Sequence, residues 1–426
     1  PMAPPDPSPT RKLLNVAWIP HWALLGGQAA HGASWGLLFL LGAAGTLGLS
    51  FPALAWVHVV ALGYLTLIAL AVLIHVLHGM LDLDWVAAPV ARWSLLPFAA
   101  GSAGMAWAFW HGQMGVLAVA STVVGAALAV YLSLAAATLS RFRPSEDASP
   151  AVMRAFSLVL SMLAVTAVLG VGMAWALAGQ GQAWWLTVAP LMHAHTGIVG
   201  WLSLLVVGVS MHTVKPITGV RSTAVWRHIG ASSLVLAGLL TLLVGFGAGG
   251  SVWLWTGAGF GLAGTALYLI DMAGILRRAQ VKHRPPQAFL AASSVYFLSA
   301  AVLGAGVLAG KAEWQTAYVF VALIGWLGQM VNGHMYHIGI RVLATVARGE
   351  DDETRPVELL NLPLSWASWL AFQSAVVIGA TGLMTQTGPL VCTAAGLGLV
   401  GWVLMGANIA HAWREANRTP GAVSVV

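Results

Sequence analysis

Between clusters of arginine and lysine the chain runs repeatedly through about 20 residues with almost no charge, the length a helix needs to cross the hydrocarbon core of a bilayer. Of 426 residues, 59% are hydrophobic and only 8% charged, a composition far outside that of soluble domains. In lipid every backbone N–H and C=O must be satisfied within the spanning element, which leaves helices and closed barrels. The apolar runs are continuous instead of alternating at period two, which argues against a barrel. The expected fold is an all-α integral membrane protein.

Apolar length predicts twelve transmembrane helices, near 29–49, 52–77, 93–111, 114–139, 152–178, 184–212, 224–246, 251–275, 288–309, 314–342, 364–386 and 389–412. Positive residues stay on the cytoplasmic side of short loops. Under this count Arg11, Lys12, Arg92, Arg141, Arg143, Arg154, Lys215, Arg221, Arg227, Arg277, Arg278, Lys282, Arg284, Arg341, Arg348, Arg355, Arg414 and Arg418 fall on one side, and only Lys311 on the other. A missing or extra span would scramble that partition. Both termini are therefore expected in the cytoplasm, flanking one membrane domain over 21–415, with tails at 1–20 and 416–426.

The net charge of +6 is then the positive-inside signal and calls for no nucleic-acid partner. Pro1 to Pro9 reads as a disordered tail without a cleavable signal. The run Glu350-Asp351-Asp352-Glu353 reads as a solvated loop surface. A single cysteine, Cys392, excludes a disulfide framework, a thiolate cluster and the CxxCH attachment of c-type haem. Any metal must rest on histidine, with methionine or carboxylate as auxiliaries.

One pattern occurs three times. His58-x4-Gly63-Tyr64-Leu65 ends 17 residues on at His75; His195-x4-Gly200-Trp201-Leu202 ends at His212; Phe320-x4-Gly325-Trp326-Leu327 ends at His337. The starts are 137 and 125 residues apart, room for about four spans each. The chain thus reads as three pseudo-symmetric four-helix units, about 29–140, 151–277 and 288–412.

Fourteen histidines in so apolar a chain require a reason, because an imidazole in hydrocarbon must find partners and tends to face the bundle interior. His21, His283 and His411 lie near helix ends and read as interfacial. Ten of the others form two layers, an outer one of His58, His111, His193 and His195 and an inner one of His75, His78, His212, His228, His334 and His337. At 1.5 Å per residue the layers lie roughly 25 Å apart, near the two faces of a bilayer core.

The most specific motif is Met192-His193-Ala194-His195-Thr196-Gly197-Ile198-Val199-Gly200-Trp201. At about 100° per residue the two imidazoles of a helical HxH point to nearly opposite sides, so they cannot chelate one ion but can serve two neighbouring sites. Neutral imidazole is the usual axial ligand of haem iron, and Gly197 and Gly200 would admit a flat macrocycle or another helix.

This segment resembles the HxH(S/T)GxxGW stretch in the tenth helix of haem-copper oxygen reductase catalytic subunits (subunit I), especially the cbb3-type oxidases and their nitric oxide reductase relatives. In that family the two histidines serve a low-spin and a high-spin haem, and twelve helices form three pseudo-symmetric groups of four. The resemblance covers the chain in topology and a few windows in sequence. It implies one or two b-type haems, with copper as a further metal, and a cytochrome or quinol electron donor. It also implies redox or nitric oxide and oxygen chemistry in the cytoplasmic membrane of a prokaryote, with additional membrane subunits.

The departures are specific. The HxH lies on the sixth span, and the tenth carries Phe320, which cannot ligate. A circular shift of roles would put His58 where a copper ligand is expected and leave His111 alone where the family has an adjacent histidine pair. A complete three-histidine copper site is not visible. The expected iron ligands are His58 and one of His193 and His195, with His111 as a lesser contributor, against the alternative that all four only hydrogen-bond in the core.

In the inner layer His75/His78 and His334/His337 are i, i+3 pairs on single helix faces, a spacing open to interfacial structure, to a second haem or to copper or zinc. His75, His212 and His337 fall at equivalent depth and are candidates to converge. Asp271 could pair with Arg277, Arg278 or a histidine, or serve proton movement. Trp184, Trp185, Trp253 and Trp255 read as interfacial belt residues, whereas Trp201 and Trp326 sit inside spans, against a macrocycle or in helix packing. Gly245, Gly247, Gly249 and Gly250 read as a turn, lacking the strand and lysine of a phosphate loop. Besides the oxidase-like reading two others stand: a transmembrane diheme electron carrier linked to quinol, and an NnrS-like haem and copper protein or histidine-lined metal transporter.

Overall fold

The computed structural model describes residues 19–81, 83–143, 150–179, 184–220, 225–280, 284–349 and 354–418. The predicted tails lie largely outside these, as do the acidic run 350–353, His283 and the side chains of His78, Trp184 and Trp185.

Among the described residues there is no strand, and twelve long helices follow one another. They are α1 (His21–Ala44), α2 (51–81), α3 (Ala88–His111), α4 (Met114–Leu139), α5 (Pro150–Ala178) and α6 (189–218). The second half comprises α7 (Val225–Ala248), α8 (Ser251–Arg277), α9 (Arg284–Leu308), α10 (315–348), α11 (Leu362–Met384) and α12 (Gly388–Ala416). Ten of these helices are long and apolar enough to cross a membrane, which makes the protein a multi-pass helical membrane protein. The other two, α1 and α3, have 24 residues each but dilute their aliphatics with glycine, alanine, serine, histidine and Arg92.

Helix ends follow local chemistry. Ser50 accepts a hydrogen bond from the Ala53 amide at the start of α2, and Asn361 accepts one from Leu364 at the start of α11. Gly45 and Gly112, at φ of 67° and 66°, stop α1 and α3 in the left-handed conformation glycine alone adopts freely. Two expected boundaries shift. The apolar run predicts a first span from 29, but the helix begins at His21, just after Pro20, because Gly26, Gly27 and Gln28 lower hydropathy without breaking the helix. Gly245 and Gly247 lie in the last turns of α7, and only Gly249 and Gly250 form the turn to α8.

The packing repeats three times. Antiparallel pairs α3/α4, α7/α8 and α11/α12 pack extensively, α4 packs on α5 and α8 on α9, and α12 closes the ring on α1. Helices α2, α6 and α10 meet in the middle through three eight-residue π-helical segments, Val59–Thr66, Thr196–Ser203 and Val321–Gly328. Each begins one residue after the repeat's first position, at His58, His195 and Phe320. The wider turn is visible in the bonds from the Leu67 amide to Leu62 O and from Leu204 to Val199 O, five residues back.

A cyclic hydrogen-bond ring ties these segments together. Trp201 Nε1 donates to Thr66 Oγ1 at 3.1 Å, Trp326 Nε1 to Ser203 Oγ at 2.9 Å, and the Tyr64 hydroxyl to Gly328 O at 3.3 Å and Asn332 Oδ1 at 3.0 Å. The aromatic at the seventh repeat position of each copy thus reaches the ninth of a neighbouring copy. All three rings are fully buried, and large apolar side chains such as Leu25, Val168, Val252 and Leu370 are exposed on the outer helices, as a lipid-facing surface requires. The end of the bundle where the arginines collect is called inner below, and the end where α2, α6 and α10 begin is called outer.

Candidate functional site

Just outward of the ring, the repeat's first position on one central helix faces the residue two places earlier on the next. His58 of α2 meets His193 of α6, with ring centroids 6.3 Å apart and planes 18° apart. His195 of α6 meets Tyr318 of α10 at 6.2 Å and 34°. Phe320 of α10 meets Trp56 of α2 at 6.0 Å and 26°. Three pseudo-equivalent interfaces therefore carry a histidine pair, a histidine and a tyrosine, and a purely aromatic pair.

The two imidazoles of the HxH diverge as helical geometry requires. His193 turns to α5 and α2, its Nδ1 donating to Thr166 O at 3.0 Å. His195 turns to α7 and α10, 4.9 Å from the Phe246 ring, with Nδ1 donating to Leu191 O at 2.8 Å. His58 Nδ1 donates to Leu54 O at 2.8 Å. A carbonyl only accepts, so the proton of each neutral ring sits on Nδ1 and the lone pair on Nε2. A backbone partner on one nitrogen is what orients a metal-ligating histidine and fixes its tautomer.

Gly170 of α5 makes room for this arrangement, since a Cβ there would lie 2.9 Å from His193 Cε1. Gly197 and Gly200 face other helices. Their added Cβ atoms would meet Thr166 Cγ2 at 3.1 Å, and Leu239 Cδ2 and Met162 Cγ at 3.0 Å, so both serve close helix packing. Trp201 lies in the hydrogen-bonded ring beneath the pair.

His111 is not brought to the pair. It is exposed at the end of α3, with Nδ1 on Trp107 O and its ring stacked on Trp107 at 4.6 Å. It is Phe109, on the other side of that helix, that reaches His58, at 4.8 Å.

In the inner layer His334 has both nitrogens engaged, by Met330 O and by Thr213 Oγ1, each at 2.8 Å. His212 keeps a buried Nε2 without a hydrogen-bond partner, while His75 is buried and His337 half-buried. Asp271 pairs with His228 Nδ1 at 3.2 Å, and both side chains are almost completely buried. His228 Nε2 touches Val207 O and lies 3.3 Å from Ser210 Oγ, so both of its nitrogens also have partners. No three histidine, cysteine or carboxylate side chains converge into a metal-binding group among the described residues, so the candidate convergence of His75, His212 and His337 is not seen there.

Two-ligand chemistry fits the His58/His193 pair. A bare copper or zinc ion would want further protein donors that do not converge here, whereas a haem brings four equatorial nitrogens of its own and asks the protein for one or two axial ligands. Sequence reasoning missed the partners Trp56 and Tyr318 and the carbonyl of Thr166. Extending the repeat two residues backward, to Trp56, His193 and Tyr318, exposes the first two. No known family model matches the chain, and no curated protein matches it significantly.

Proposed function

We propose that this is a haem protein of the prokaryotic cytoplasmic membrane, in which His58 and His193 hold one b-type haem at the outer interface of α2 and α6. The observation that carries the reading is the near-parallel pair of imidazoles, each anchored through Nδ1 to a backbone carbonyl and each keeping its Nε2 lone pair. When bound, the haem would supply a one-electron iron couple. The chain's part is to orient both rings, through Leu54 O and Thr166 O, and to keep Gly170 from crowding His193.

A second haem is supported at the α6/α10 interface, where His195 is anchored in the same way and faces Tyr318 instead of a histidine. A pair of sites, one with two imidazoles and one with a single imidazole, is the division of labour that electron transfer and gas binding need. The reading is thus of a divergent relative of haem-copper oxidase subunit I, an oxidoreductase of nitric oxide or oxygen, fed by a cytochrome or a quinol and associated with further membrane subunits. All twelve helices span, with both termini cytoplasmic; the one-sided distribution of arginine supports this.

An absorption spectrum of protein purified from haem-replete cells tests the reading. A Soret band with split α and β bands after dithionite is expected, together with a carbon monoxide shift of part of the spectrum from the His195 site. Absence of a Soret band overturns it, and metal analysis showing copper without iron favours the metal-transporter alternative.

A further inference from the structure

The positive residues at the inner end are not balanced alike in the three units. From Arg341 to Arg418 five basic residues are matched by six acidic ones, and Arg355 and Arg418 pair with Glu358 and Glu415, each at 2.6 Å. Between Asp147 and Lys311 eight basic residues share the sequence with a single acidic one, Asp271. That carboxylate is buried and already bonded to His228. Membrane orientation needs only an excess of cations on the cytoplasmic side, so it does not explain why one unit supplies carboxylates for its arginines and another does not.

Two of the guanidinium groups in the middle unit converge. Arg227, in the first turn of α7, reaches across to α8, where its Nη1 lies 3.8 Å from the position a Gly274 Cβ would occupy. Arg278, just past the end of α8, donates through Nε to Gly274 O at 3.0 Å. The Arg227 Cζ also lies 5.3 Å from the ring centre of the exposed Trp226, a cation–π contact suited to the membrane interface. Outward from Gly274 the seam between the two helices is apolar and only half-buried. Gly230 of α7 faces Leu267 of α8, whose Cδ2 would meet an added Cβ at 3.2 Å. Ile229 and Ile270, on the same two helices, are exposed. The seam thus joins two planar cations at its inner end to an apolar track leading outward.

We infer that this seam binds an anionic phospholipid of the inner leaflet, its phosphodiester seated between Arg227 and Arg278 over Gly274 and an acyl chain lying along Gly230 and Leu267. Guanidinium forks match phosphate oxygens, and basic pockets at the cytoplasmic ends of helices recognise anionic headgroups. Lipid fits better than an acidic protein because the exposed Trp226, Ile229 and Ile270 put the site at the edge of the hydrocarbon, where a soluble partner does not reach. Arg227 adjoins His228 in the chain and Gly274 lies one turn from Asp271, so the lipid bridges α7 and α8 beside their buried bond. The inference stands independently of haem at the α2/α6 and α6/α10 interfaces.

Native mass spectrometry of the full chain, delipidated in detergent and titrated with phosphatidylglycerol or with phosphatidylcholine of the same acyl chains, tests the site. The unaltered protein should retain one phosphatidylglycerol several-fold more than phosphatidylcholine, which carries the same phosphodiester in a neutral headgroup. Arg227→Gln/Arg278→Gln should lose that preference, while Arg355→Gln/Arg414→Gln, which removes the same charge from the third unit, should keep it. Equal retention of the two lipids by the unaltered protein, or equal loss in both double variants, overturns the site. Millimolar inorganic phosphate and soluble polyglutamate should leave the phosphatidylglycerol bound; displacement by the first makes the seam a free-anion site, displacement by the second a protein-docking surface, and either overturns the lipid. Should a double variant not fold, Gly274→Leu keeps both arginines and fills the space between them. It should lower phosphatidylglycerol retention several-fold, and unchanged retention refutes the proposal.

Discussion

At the outer end of the central helices each imidazole gives one nitrogen to a backbone carbonyl and keeps the other. His58, His193 and His195 all follow this rule, through Leu54, Thr166 and Leu191. At the inner end His228 and His334 have both nitrogens engaged by protein groups. An imidazole with a free lone pair inside a membrane is costly unless something binds it, whereas one bonded on both sides is already paired. The inner end is not uniform, since His212 keeps a buried Nε2 without a partner; the difference teaches that histidine content alone does not mark a cofactor layer, and the proposed haem site rests on unclaimed nitrogens in two imidazoles that also face each other across helices.

The sharpest way to break this contrast is to remove an outer imidazole. His58→Ala or His193→Ala should abolish the low-spin haem signal, while His334→Ala, which removes an inner imidazole, should leave haem stoichiometry unchanged; haem-to-protein ratios by pyridine haemochrome check both. A smaller effect follows from crowding. Gly170→Val places carbon against His193 and should lower haem occupancy and shift the reduced α band without unfolding the protein. In the inner layer Asp271→Leu leaves His228 Nδ1 without its partner and should cost about 1–3 kcal/mol, the usual penalty for a buried group left unsatisfied, seen as a lower thermal midpoint in detergent with an unaltered haem spectrum. Least of all, Trp201→Phe breaks one hydrogen bond of the central ring, worth ~1 kcal/mol, and Trp326→Phe should cost about the same if the ring is as symmetric in energy as in geometry.

Much of the fold is legible in the residues because lipid permits so few alternatives. Continuous apolar runs can only be helices, and the threefold spacing of Gly63-Tyr64, Gly200-Trp201 and Gly325-Trp326 marks the three helices that meet at the centre. The start of α1 was less legible, because hydropathy responds to Gly26, Gly27 and Gln28 while the helix begins where Pro20 allows it. At the site, the divergence of His193 and His195 follows from 100° per residue, but which of them faces His58 depends on how α2 and α6 pack. Gly197 and Gly200 read in sequence as room for a macrocycle or another helix, and in the structure they lie against Thr166, Met162 and Leu239 of neighbouring helices. Asp271 had three plausible partners along the chain, and its bond to His228 joins α8 to α7 over a distance no local pattern encodes.

In the proposed site His58 and His193 share one iron. Electron paramagnetic resonance of the oxidised, purified protein tests this most directly: a low-spin ferric signal of bis-imidazole type is predicted, converting to a high-spin signal or vanishing in His193→Ala and persisting in His111→Ala. A low-spin signal that survives both His58→Ala and His193→Ala, or no ferric haem signal from haem-replete protein, would contradict it.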